Sequence, residues 1–127
     1  MATYRIEGAR IHGIDDFYAE LNRLVMTSED WQLGSSLDAL NDLLYGGIGA
    51  LADDADPQFV WADHDLSSTA LGTDATRAWL TAKLQGPFNH ALIQQQLDDL
   101  NAGTGRTYYE IILEIFAEHP DVGLTLA

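Results

Sequence analysis

Hydrophobic positions recur along the chain with two different periods. Tyr4 and Ile6 alternate with polar neighbours, which predicts a short strand near residues 3 to 7 that stops at Gly8. Beyond it, Phe17, Leu21, Leu24 and Val25 recur at helical spacing, so a first helix is expected from a cap at Asp15 or Asp16 to about residue 26. Residues 29 to 34 read as a loop holding Trp31, and a second helix follows from 35 to about 45, stopped by Gly46-Gly47. This second helix has two unlike faces. Leu37, Leu40 and Leu44 fall on one side, while Ser35, Asp38, Asp42 and Tyr45 line the other. Ser35-Ser36-Leu37-Asp38 has the form of a capping box, in which the Asp38 carboxylate returns a hydrogen bond to the Ser35 amide.

Residues 53 to 57 form a turn, and the apolar run Phe59-Val60-Trp61 predicts a central strand ending at Asp63, with Asp63-His64-Asp65 capping the next turn of helix. Helical periodicity returns over 74 to 84 (Ala75, Ala78, Trp79, Ala82), over 88 to 100 (Leu92, Ile93, Leu97, Leu100) and over 108 to 118 (Tyr108, Ile111, Ile112, Ile115, Phe116). Pro120 ends the last of these, and Val122, Leu124 and Leu126 alternate as a final strand. Strands near 3 to 7, 58 to 63 and 121 to 126, separated by helical crossovers, pair in parallel. The expected fold is therefore α/β, a small three-stranded parallel sheet with helices packed on it. A length of 127 residues with 46% apolar content supports one domain over 1–127.

Charge narrows the function. Twenty Asp and Glu against six Lys and Arg give a net charge of -14. No basic cluster exists along the chain, so direct nucleic-acid binding is excluded and anionic membranes are disfavoured. The acidic surface suits a basic protein partner, or serves solubility or a salty cytoplasm. The absence of cysteine rules out disulfides, thiol catalysis and thiolate zinc sites, and fits a cytoplasmic setting. No signal peptide or membrane span is visible at the N-terminal end.

Enzymatic chemistry finds little to work with. His12, His64, His90 and His119 are scattered, and Asp63-His64-Asp65 is the local cluster suited to acid-base or metal chemistry. No recognised catalytic spacing accompanies it. The stretch Asp54-Ala55-Asp56-Pro57-Gln58 faintly resembles a calcium loop, but Phe59 stands where the sharp turn needs glycine. The expectation is a non-enzyme without metal or cofactor, with a small metal-dependent hydrolase as the poorer alternative.

Three stretches resemble the barstar family of intracellular ribonuclease inhibitors, especially its longer bacterial members. Ile14-Asp15-Asp16-Phe17-Tyr18 after Gly8 is similar to the family's opening, and Leu37-Asp38-Ala39-Leu40-Asn41-Asp42 to its second-helix motif. The tail, Glu118-His119-Pro120-Asp121-Val122-Gly123-Leu124-Thr125-Leu126, sits where the family's last helix runs into its last strand. The resemblance implies that the second helix and the loop before it plug a ribonuclease active site, with acids standing where substrate phosphate would lie. Asp38 and Asp42 match those acids, and Glu114, or Glu110 if one gap intervenes, matches a further acidic contact. Asn41, Ser35, Tyr45 and Trp31 complete the expected partner-binding set. Where family members often carry aromatics, this chain has Gln32-Leu33 and Asn41. The implied partner is a basic ribonuclease bound by a monomer; the alternative is an immunity or adaptor protein that neutralises a different basic toxin or nuclease.

Overall fold

The structure, a computed structural model, describes residues 2–127. Three strands, β1 (Thr3–Glu7), β2 (Gln58–Ala62) and β3 (Gly123–Leu126), form one parallel sheet in the order β1-β2-β3. Arg5, Val60 and Thr125 lie in register across it. Among the described residues six α-helices pack with the sheet: α1 (Ile14–Val25), α2 (Leu37–Leu44), α3 (His64–Ala70), α4 (Thr73–Lys83), α5 (His90–Asn101) and α6 (Tyr108–Ala117). Two short 3-10 turns, Gly8–Arg10 and Gly49–Asp53, complete the element order. The expected α/β class with a three-stranded parallel sheet is thus the observed one. No helix among the described residues is long and apolar enough to cross a membrane.

β2 runs through the middle, so its side chains carry the core. Trp61 is fully buried, stacked on Phe17 at 5.4 Å between ring centroids and met edge-on by Tyr109 at 5.3 Å. Around it close Ile6 from β1, Leu21 and Val25 from α1, Leu40 and Leu43 from α2, and Ile112 from α6. The Tyr18 and Tyr108 hydroxyls meet at 2.6 Å inside this core, and burial pushes both phenols up from their ordinary pKa. Leu80, Ile93, Leu97 and Leu100 form a second, smaller cluster between α4 and α5.

Several local expectations shift. A turn of helix is expected and found at Asp63-His64-Asp65, but its extension as α3 to Ala70 is not expected, because His64-Asp65-Leu66-Ser67-Ser68-Thr69-Ala70 carries no apolar stripe. What seats it is polar: Trp61 Nε1 donates to the buried Ser67 Oγ at 3.0 Å, and that hydroxyl donates to the Gly8 carbonyl at 3.2 Å. Asp63 precedes α3 in a left-handed conformation, φ 49°, and its side chain makes no cap hydrogen bond, so the expected carboxylate cap is absent. α1 likewise starts after Gly13; Asp16 accepts instead from the His12 amide at 3.0 Å. α5 begins at His90 behind an Asn89 cap, leaving Phe88 outside the helix and exposed.

Candidate functional site

α2 is short, and its ends are fixed by the local sequence. Ser36 has extended backbone, and its Oγ accepts from the Ala39 amide at 3.1 Å, satisfying one of the free first-turn donors. The cap is therefore Ser36, one residue later than the expected box began, and Asp38 takes no part in a capping box. The capping box of this chain closes α6 instead, where Thr107 and Glu110 bond reciprocally. At its other end α2 stops at Gly46 and Gly47, whose φ values of +88° and +82° lie in the left-handed region that side chains disfavour.

The fold buries Leu40, Leu43 and Leu44 beneath this helix, which turns Asp38, Asp42 and Tyr45 outward. Tyr45 is 74% exposed. Among the described residues neither carboxylate has a hydrogen-bond or ion-pair partner. The placement of Asp42 is electrostatically unfavourable for the free protein. Like charges four residues apart repel on a helix, and Asp42 lies in the last turn, where the helix dipole disfavours an anion. No basic residue in that turn compensates it.

Asn41, expected as a partner contact, is half-buried and bonded internally: its Oδ1 lies 2.7 Å from His119 Nε2. The same imidazole meets the Tyr45 ring edge-on, 4.6 Å between centroids. His119 itself is only 8% exposed. It was visible in the sequence as one of four scattered histidines, and no local signal ties it to a helix 78 positions away.

The loop before α2 is held from α1. The Asn22 side chain accepts from the Leu33 amide at 2.7 Å and donates to the Leu33 carbonyl at 3.2 Å, copying a strand-like pair of bonds. Leu33 is buried by this clamp, whereas Trp31 stays 46% exposed. Trp31 and Ser35 border an open cleft of about 640 Å³ that also includes Asp15, Arg23, Glu29 and Asp30. α1 is in turn tied to β1 by the buried Glu20, which accepts from the Glu7 amide at 2.9 Å and twice from Arg23 at 2.8 Å. Burial alone would raise the Glu20 pKa, but the Arg23 and Glu7 hydrogen bonds, with the Arg23 and Arg10 charges, hold it below the ordinary carboxylate value.

The remaining acidic candidates are already engaged. Glu114 projects from α6 and is ion-paired with Arg106, while Glu110 serves the Thr107 capping box. His64 Nδ1 lies 3.0 Å from the Tyr109 hydroxyl. Among the described residues no group of three His, Asp or Glu side chains could hold a metal ion. Compared with known proteins, the chain matches no family model, and no curated protein matches it.

Proposed function

We propose that the protein is a proteinaceous inhibitor of a basic, barnase-type ribonuclease, acting inside the cytoplasm without catalysis, with Asp38 and Asp42 entering the enzyme's active site. The observation that carries this reading is Asp42. It occupies an α2 position where folding gains little from a carboxylate, exposed, unpaired among the described residues and opposed by both Asp38 and the helix dipole. Such a cost is recovered when a cation arrives. A ribonuclease gathers Arg, Lys and His to hold phosphate, and two carboxylates on one rigid face offer that cluster charge-assisted hydrogen bonds. The resemblance of the α2 motif to the barstar family supports the same geometry of blockade.

Calorimetric titration of a barnase-type ribonuclease with wild type and Asp42→Asn tests this, alongside urea unfolding of both. The expected result is binding weakened at least tenfold in a variant that unfolds at equal or higher urea. Equal affinity, or a variant that fails to fold, would count against an interface role. A second reading is favoured by the loop: its apolar residue Leu33 is turned inward and Gln32 is exposed, so the surface before α2 offers Trp31 as its aromatic. That difference suits immunity to another basic toxin bound through the same acids.

A further inference from the structure

We infer that His119 is a positioning residue that fixes the rotation of α2 about its own axis and thereby aims Asp38 and Asp42; this rests on the inhibitor reading of the acidic face. α2 spans Leu37–Leu44, about two turns, too short to hold its orientation by backbone bonding alone. Its buried leucines set which face turns inward, and the finer rotation is left to directional contacts, because apolar contact is itself non-directional. His119 supplies direction. It grips two residues one turn apart, Asn41 through a 2.7 Å hydrogen bond and Tyr45 through an edge-on ring contact at 4.6 Å. At about 100° per residue, Asn41 and Tyr45 both lie along one side of the stripe that carries Asp38 and Asp42, so a lock on the first pair sets the direction of the second.

The anchor itself is rigid. The His119 amide donates to the Phe116 carbonyl at 3.0 Å and its carbonyl accepts from the Val122 amide at 3.0 Å, so the imidazole stands on a closed turn between α6 and β3. Phe116 and Val122 are both buried. α2 is therefore referenced to the turn before the C-terminal strand, 78 positions along the chain. The ring also orders Tyr45, an otherwise exposed aromatic of the kind that contributes strongly at interfaces when it is held in place before binding.

Amide hydrogen exchange on wild type, His119→Ala and His119→Gln tests the inference without any partner. Glutamine keeps an N–H donor for Asn41, so it separates the hydrogen bond from general loss of packing. Residues 41 to 45 should exchange about three- to tenfold faster in the alanine variant, with β2 unchanged, and recover in the glutamine variant. Unchanged exchange in 41 to 45, or an equal rise throughout β2 and α1, would overturn it. Against a barnase-type ribonuclease that wild type binds, His119→Ala should bind about tenfold more weakly; equal affinity would also overturn it. If wild type itself does not bind, the inhibitor reading fails while the exchange result still decides whether His119 holds α2.

Discussion

Ser36 and Asp38 stand two positions apart and do opposite work. Ser36 satisfies a backbone donor, so Ser36→Ala should cost about 1 kcal/mol in chemical unfolding. Asp38 satisfies none, and Asp38→Ala should change stability by less than about 0.5 kcal/mol; a loss as large as that of the serine would return Asp38 to a structural role. Gly8 is the extreme case, since any Cβ there collides with the Ala62 and Asp63 carbonyls. Gly8→Ala should cost at least about 1–3 kcal/mol, read from the same unfolding curves. At this scale the sequence was legible only to within a residue. The Ser35-Ser36 pair offers two neighbouring capping hydroxyls, and the fold uses that of Ser36. Asn41 was legible only in part: a polar side chain between two exposed acids reads as surface, and its hydrogen bond to His119 joins it to a residue 78 positions away.

Between elements, polar clamps decide what hydrophobic stripes leave loose. Glu20 joins α1 to β1, and its pKa is depressed in the folded state from an ordinary value near 4.5. Its contribution is therefore complete above about pH 4.5 and is lost as pH falls through the lower folded value. Thermal melting between pH 6 and 3 should show that acid loss, and Glu20→Gln should flatten it; an unchanged slope would remove Glu20 as its source. α5 presents the reverse situation. Its buried side chains lie in the small α4–α5 cluster and not in the main core, so its amides should exchange faster than those of β2. Equal protection would mean that the two clusters unfold together. Strand β2 and helices α1 and α6 were readable because apolar pattern and burial coincide in them, and β3 was readable from its alternation alone, since Leu126 is exposed. The length of α3 was not readable, because a serine, not a stripe, seats it against Gly8 and Trp61.

Taken whole, the molecule sets a net charge of -14 around one short acidic helix held from two sides, by Asn22 through the preceding loop and by His119 through the C-terminal turn. Sheet order and parallel pairing were legible, because crossovers of this length leave few other arrangements. The bracing of α2 was not, since both clamps depend on contacts that only the closed fold creates. Exposed charge of one sign speeds the encounter with a basic partner and is screened over about 10 Å at 0.1 M salt. Association measured by stopped flow should therefore slow steeply as salt rises, with dissociation changing less; a rate indifferent to salt would deny steering. The central claim, blockade of a ribonuclease by the α2 acids, is tested most directly by titrating a barnase-type ribonuclease with wild type and with Asp42→Asn and measuring residual RNA cleavage. The account predicts stoichiometric loss of cleavage with wild type and substantial recovery with the variant. Full cleavage in the presence of excess wild type, or equal inhibition by both proteins, would contradict it.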